Sequence, residues 1–321
     1  MAEFLSADDA ILHASCYQAN VGLFSALLGE CDLAISDELN HGTIIDGIRL
    51  GKARRRIVPH AEPAAVEREL RKARAAGAGR ILVVTDGVFS MDGDVADLAA
   101  LRRLCDEYEA MLMVDDSHAT GFWGPTGRGT IEQHGLLGRV EIVTSTFGKA
   151  LGGGLGGFVA GRGDVIAMLR QRSRSYLLSN SLPPALVGAA LAAIELAAGA
   201  DAARERLRRN TVALRAGLST AGFRVGGVGH PIVPILIGDA LLAARMADEL
   251  FEHGVFVVAF FHPVVPVGQA RIRVQLSAAH ELADLERALA AFVAVGRQLG
   301  VIGWAAGVLN LAGASCIVVA P

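Results

Sequence analysis

The sequence predicts an α/β fold: a large unit with a mostly parallel open sheet, followed by a smaller α+β unit. Two observations carry the first half. Arg80–Thr85 and Met111–Val114 are continuous apolar runs of the kind buried on both faces of a parallel sheet. Such runs alternate with helical segments of roughly ten to fifteen residues, the pattern of an open α/β sheet. The second half rests on a change of pattern after Pro184, where long helices give way to a few strands among helices.

In chain order, Ala10–Ser15 is a short apolar run and Val21–Leu28 reads as helix. Asp32–Ser36 reads as strand and leads into the polar turn Asp37–His41. Arg54–Val58 is a further short strand, and Pro63–Ala76 is an amphipathic helix rich in Glu, Arg and Ala. Helix follows at Asp97–Glu109, then strands at Glu141–Thr144 and Phe158–Ala160. Arg172–Pro184 is a polar loop closing on a double proline, followed by helices Ala185–Ala198 and Asp201–Ala221. The remainder reads as strand Ile232–Ile237, helix Ala240–His253, strands Val255–Phe260 and Arg271–Leu276, and helix Glu281–Leu299. Residues 1–198 are thus assigned to the large unit, 199–302 to the small one and 303–321 to an apolar tail of unknown role. The tail is about as long as a membrane span. It contains Asn310 and Ser315 and lacks basic anchors on its far side, so an apolar tail is expected there and not a span.

A chain of 321 residues, 52% hydrophobic and 20% charged, can bury a large core. Its net charge of −3 gives no reason to expect nucleic acid. The cysteines Cys16, Cys31, Cys105 and Cys316 show no C-x-x-C pairing and read as reduced thiols of a cytoplasmic protein. The opening MAEFLSADDA is acidic and lacks the long apolar core of a signal peptide.

The chemistry gathers at strand ends, where open α/β sheets bind ligands. Glu141–Gly157 begins as strand, turns at Ser145–Gly148, presents Lys149 and runs into glycines. A lysine among hydroxyls, glycines and apolar residues tends to lose solvation, which frees its neutral amine for imine chemistry; the alternative is a solvated lysine at a strand end. Met111–Val114 delivers Asp115-Asp116-Ser117-His118: one aspartate facing a cationic ring nitrogen or a metal, or a polar turn with a capping aspartate. Ile81–Thr85 delivers Asp86-Gly87-Val88-Phe89-Ser90, and Asp37–His41 brings His41 to the same edge. Ala14–Asn20 leads into a helix whose first amides suit a phosphate. Gly152–Gly157 matches G-x-G-x-x-G formally but leads into a strand, not a helix, so it reads as a close backbone approach. No Walker motif is present, and the nine histidines form no metal-binding pattern. An aspartate, a histidine, a strand-end lysine and a helix-start phosphate cradle are the parts that pyridoxal 5'-phosphate (PLP) needs.

These residues also carry a family resemblance. Thr85–Gly93 (TDGVFSMDG), Val114–Gly121 (VDDSHATG), Thr144–Gly153 (TSTFGKALGG), Arg170–Leu182 (RQRSRSYLLSNSL) and Phe260–His280 (FFHPVVPVGQARIRVQLSAAH) resemble the α-oxoamine synthases, in order and at fitting separations from about Phe4 to Ile302. The resemblance implies PLP-dependent transferase fold type I, an acyltransferase, and a homodimer with shared active sites. Its implied reaction condenses glycine with acetyl-CoA; a relative using another amino acid or acyl-CoA, and a non-catalytic remnant, are the alternatives. It further implies Lys149 as the Schiff-base lysine, Asp115 at the pyridine nitrogen, His118 at the ring hydroxyl with Ser90 nearby, and His41 stacked on the ring. Thr146 and the backbone of Cys16-Tyr17 would hold the phosphate, and Ser179 resembles the serine that reaches the partner subunit's phosphate. Arg273 would clamp the substrate carboxylate, with Arg271 second for that role. Family members carry a substantial segment before the position of Phe4, with an Asn-Asn-Tyr-Leu-Gly-Leu motif that helps bind substrate. The chain is therefore expected to be truncated at its N-terminus relative to the family.

Overall fold

The computed structural model describes residues 1–152 and 154–303. The chain forms two compact units, one of Met1–Phe89 with Val95–Asp201, the other of Ser90–Asp94 with the chain from Ala202 on. Apart from Gly303, the apolar tail lies outside the described residues.

The first unit is built on a seven-stranded sheet. Its strands are β1 (Asp9–His13), β2 (Leu33–Asp37), β3 (Arg54–Val58), β4 (Ile81–Asp86), β5 (Met111–Asp115), β6 (Ile142–Thr146) and β7 (Gly157–Gly161). Their spatial order is β1-β7-β6-β5-β4-β2-β3. β3, β2, β4, β5 and β6 run parallel, while β7 is antiparallel to both β6 and β1. Side chains alternate across the sheet and both faces are covered, which explains the continuous apolar runs. Ile81 and Val83 of β4 enter one core cluster with Leu112, Val143 and Phe158. Leu82 and Val84 enter the other with Met113, Ile142 and Val159. By the same alternation Asp86, Asp115, Thr144 and Thr146 extend from the second of these faces.

Around the sheet stand α1 (Ala2–Leu5), α2 (Cys16–Leu27), α3 (Gly42–Leu50), α4 (Pro63–Ala75), α5 (Leu98–Glu107), α6 (Thr130–Gln133), α7 (Gly163–Arg172), α8 (Arg174–Leu177) and α9 (Pro184–Ala198). The structure departs from the sequence reading in several elements. α2 starts at Cys16, not Val21: Ser15 caps it, its Oγ accepting from the Gln18 amide at 3.2 Å, so the polar first turn is helical. The run Ala10–Ser15 is an edge strand, β1. α1, α3, α6 and α7 have no counterpart in the sequence reading, and α8 lies within the stretch read as a polar loop. In α3 two glycines lower the local helix propensity, and packing overrides it. A Cβ at Gly47 would come within 2.6 Å of the Phe24 ring and 2.7 Å of the Asn20 carbonyl, so glycine is what lets α3 lie against α2. Leu23 and Phe24 of α2 are buried against the sheet, each contributing about 1.5–3 kcal/mol of apolar burial.

The second unit contains α10 (Asp201–Thr220), β8 (Ile232–Gly238), α11 (Ala240–Glu252), β9 (Val258–Phe260), β10 (Ala270–Gln275) and α12 (Leu282–Gln298). The strands form an antiparallel sheet in the order β8-β10-β9, with β9 shorter than the Val255–Phe260 read from sequence. The Ser90–Asp94 loop is tied into this unit. Arg271, only 2% exposed, forms an ion pair with Asp92 and donates to the Met91 carbonyl at 3.3 Å. Arg273 donates to the Ser90 carbonyl at 3.0 Å.

Candidate active site

The carboxyl ends of β4, β5 and β6 bring Asp86, Asp115 and Thr146 to one edge of the sheet, with Asp86 opposite Asp115 and Asp115 opposite Thr144. Asp115 is 4% exposed. Its Oδ2 accepts a 2.6 Å hydrogen bond from Asn20 Nδ2 and lies 3.5 Å from Cys16 Sγ, and its Oδ1 accepts from the Ser117 amide at 3.1 Å. The carboxylate is thus held by α2 on one side and its own turn on the other. The close approach read in the glycine run is what seats α2: a Cβ at Gly157 would lie 2.3 Å from the Cys16 amide nitrogen and 2.6 Å from its Cα. In an α-helix the first amides have no intrahelical acceptor. Here the Gln18 amide is taken by Ser15, and those of Cys16 and Tyr17 open the helix.

The strand-end motif alone left open which aspartate does chemistry, the resemblance implied Asp115, and the structure gives the two different surroundings. Asp116 is wholly buried, with Oδ1 accepting from the Thr130 hydroxyl at 2.6 Å and Oδ2 from the Thr130 amide at 2.9 Å. A Cβ at Gly87 or Gly129 would strike its oxygens at 2.3 Å or 1.7 Å, so both glycines are required around it. Burial pushes the Asp116 carboxyl up to about 7. It braces the turn, and Asp115 is the carboxylate beside α2.

His41 caps α3. Its Nδ1 accepts from the Thr43 amide at 3.3 Å, and its own amide donates to Asp86 Oδ2 at 2.7 Å. His41 keeps solvent access, yet the surrounding protein lowers its pKa from the ordinary value, chiefly by desolvation; Asp115 opposes that shift and Lys149 adds to it. Asp86 is pushed well above the usual carboxylate range by burial and by Asp115, against the pull of the His41 amide and Lys149. Burial and Asp115 likewise raise Cys16, so it stands as a thiol. Lys149 therefore acts electrostatically on Cys16, His41 and Asp86. Of the two readings of Lys149, this chain shows the solvated one: Lys149 sits on an exposed bend after β6. That bend is shaped by Thr146, whose hydroxyl donates to the Gly156 carbonyl at 3.0 Å and accepts from the Gly148 amide at 3.1 Å.

A family model, aminotransferase class I and II, matches residues 1–292. The chain belongs to the aminotransferase class I and II family. It is 51% identical to a 2-amino-3-ketobutyrate coenzyme A ligase of Salmonella typhimurium over 94% of this chain and 76% of that protein. It is 50% identical to the mitochondrial 2-amino-3-ketobutyrate coenzyme A ligase of Homo sapiens, over 94% of this chain and 72% of that one. Among solved structures, a serine palmitoyltransferase from S. paucimobilis with a bound PLP–myriocin aldimine matches with a TM-score of 0.89 at 34% identity, covering 94% of this chain and 75% of that chain. The mostly parallel sheet with a small second sheet is fold type I of the PLP-dependent enzymes.

PLP fits the residues present. The opening amides of α2 suit its phosphate, the buried Asp115 suits a protonated ring nitrogen, and an exposed amine stands within electrostatic reach of both Cys16 and His41. Buried Thr144 Oγ1 and Asn20 Oδ1 have no hydrogen-bond partner, leaving polar capacity beside Asp115. The remaining sequence candidates lie as follows. Tyr17 is exposed, its hydroxyl 3.3 Å from Asp46 Oδ2, and His118 is half-buried in the turn after β5. Ser179 accepts from Gln18 Nε2 at 3.4 Å, beside the first turn of α2. Ser90 and Arg273 belong to the second unit, where the Arg273 guanidinium also stacks 4.6 Å from the centre of the Phe260 ring. Arg271 is held by Asp92 and by the Gln269 and Met91 carbonyls. Sequence reasoning missed Asn20 and Thr43, and placed Asp86 at the strand end without giving it a role. Asn20 was within reach, because it lies one helical turn after Cys16 on the same face.

Proposed function

We propose that the chain is a PLP-dependent acyltransferase that condenses glycine with acetyl-CoA to 2-amino-3-ketobutyrate and CoA, a step of threonine breakdown. The observation that carries this reading is the buried Asp115 held against the N-terminus of α2, with the exposed Lys149 in electrostatic reach of that helix start. The half-identical ligases support the choice of substrates.

Bound here, PLP supplies an electron sink that makes the Cα proton of glycine removable. Lys149 would anchor it through Nζ, and once displaced by substrate would take that proton and later return one. Asp115 would accept a hydrogen bond from the ring nitrogen and keep it protonated. His41 would lie against the ring, with His118 and Ser90 at its hydroxyl. The Cys16 and Tyr17 amides and Thr146 would hold the phosphate, and Ser179 would reach it across a dimer interface. Arg273 would pair with the glycine carboxylate through its planar fork.

A homodimer belongs to the same proposal. α8 and α9 expose Leu177, Leu178, Leu191 and Leu196, an apolar surface that a second copy would cover. A cytoplasmic location is consistent with the free thiols of Cys16, Cys31 and Cys105. Among the described residues no single helix is long and apolar enough to cross a membrane.

The test is CoA release by the purified, PLP-loaded chain across a panel of amino acids and acyl-CoAs. Highest kcat/KM with glycine and acetyl-CoA is expected. Preference for a longer acyl-CoA or another amino acid would move the chain to a different α-oxoamine synthase activity.

A further inference from the structure

A hydrogen-bonded bridge joins Asp115 to His41 through two residues given no role above. Asn20 is completely buried on α2 and donates from Nδ2 to Asp115 Oδ2 at 2.6 Å and to Thr43 Oγ1 at 2.9 Å. Thr43 Oγ1 in turn lies 3.0 Å from His41 Nδ1. The direction of each proton follows from the donor inventory. The Thr43 backbone N–H already donates to His41 Nδ1, so that nitrogen presents a lone pair. Thr43 Oγ1 receives a hydrogen bond from Asn20, and its own proton shares the single Nδ1 lone pair with the Thr43 amide in a three-centre contact. His41 therefore carries its proton on Nε2. The far side of the bridge is equally fixed, because the His41 amide donates to Asp86 Oδ2 and the Asp86 amide to Asn40 Oδ1 at 2.8 Å.

We propose that Asn20 and Thr43 are positioning residues that set the Asp115 carboxylate and the His41 imidazole as one unit and hold His41 in its Nε2–H tautomer. The bridge spans α2, α3 and β5, so the ring-nitrogen partner and the ring-stacking group keep a fixed relation whichever element moves. Its catalytic consequence rests on the PLP reading; its tautomer belongs to the chain alone. Imidazolium formation at His41 would place a second N–H at Nδ1, against the Thr43 amide, and would break the α3 cap, while the Thr43 hydroxyl would have to turn and accept from the ring. The charged groups that act on this ring are Asp115 and Lys149, with Asp86 beneath its amide.

The experiment is nitrogen-15 NMR of the full chain labelled at histidine, without and with PLP, with His41→Gln to assign the signal. The bridge predicts Nε2–H in the wild type and titration below the ordinary histidine value of 6.5. Thr43→Val removes the hydroxyl at near-constant shape. The backbone amide on Nδ1 remains, so the Nε2–H tautomer should persist; loss of the hydroxyl should raise the His41 pKa and, once loaded, lower kcat by about tenfold with KM for acetyl-CoA unchanged, the loss expected for one hydrogen bond in a positioned site. The acid limb of its pH profile should move with the His41 pKa, and Thr43→Ser should restore all of these. A proton on Nδ1 in the wild type overturns the proposal without any variant. So does a folded Thr43→Val chain whose His41 pKa and loaded kcat are both those of the wild type. If the chain takes up no PLP, the catalytic reading fails while the wild-type tautomer still judges the bridge.

Discussion

Gly157→Ala tests how the site is assembled. The added methyl would lie 2.3 Å from the Cys16 nitrogen, 2.6 Å from Cys16 Cα and 2.6 Å from the Ser15 carbonyl carbon. All three are backbone atoms at the start of α2, so no side chain can rotate away, and either α2 or β7 must shift. Overpacking of this kind costs about 1–3 kcal/mol, and the reduced unfolded-state entropy of alanine returns roughly 0.4–1 kcal/mol. The net loss is on the order of 1–2 kcal/mol, which lowers Tm by roughly 2–8 °C in a unit of this size. Displacing the first turn of α2 also moves the opening amides and Asn20, so PLP affinity should fall by more than stability alone predicts. Urea unfolding gives the first quantity and visible-absorbance titration with PLP the second. Gly188→Ala is the control: it lies in α9 with nothing within 4 Å of the added methyl, and should stabilise the helix by up to about 1 kcal/mol. A Gly157→Ala chain with wild-type stability and wild-type PLP affinity would refute the close-approach argument.

Further outcomes follow from the same geometry. Asp115→Asn should leave the fold intact and lower kcat by about a hundredfold or more, since a neutral ring nitrogen is a poor sink; steady-state rates with glycine and acetyl-CoA measure it. Arg271→Met breaks the pair with Asp92 and should cost about 2–3 kcal/mol by urea unfolding, discounted because Asp92 is part-exposed. Arg273→Met should cost less stability than Arg271→Met, about 1 kcal/mol for its Ser90 hydrogen bond and Phe260 stack, but raise KM for glycine; the reverse pattern would exchange the two arginines. Asp116 has a folded pKa of about 7 against an ordinary value of 3.8. Its protonated form is favoured in the fold, so its contribution is complete below pH 3.8 and is lost as pH rises through about 7. Asp116→Asn should flatten that slope in unfolding measured from pH 4 to 8, and an unchanged slope would contradict the assignment.

The parallel sheet was legible because β4 and β5 are buried on both faces and therefore apolar throughout. Strand ends carried the chemistry for a geometric reason: the face that continues past Leu82 and Val84, or past Met113, is the one α2 covers. What stayed hidden depended on tertiary contact. α3 is a helix despite Gly42 and Gly47 because α2 needs the space, and α2 begins early because Ser15 caps a polar turn. Local sequence suggested a desolvated Lys149, but solvation depends on what packs over a bend, and the bend after β6 is exposed. The strand-end pattern alone does not separate Asp115 from Asp116; they differ by the alternation that sends one toward α2 and the other to Thr130.

The sequence contains three lysines, Lys52, Lys72 and Lys149. Lys52 pairs with Glu30 and Lys72 with Glu69 on exposed surfaces. Borohydride reduction of the PLP-treated chain, followed by peptide mapping, reads directly which amine bears the cofactor. The account predicts stoichiometric label on Lys149, lost when glycine is added before reduction. Label on Lys52 or Lys72, or none on a folded chain, would contradict it.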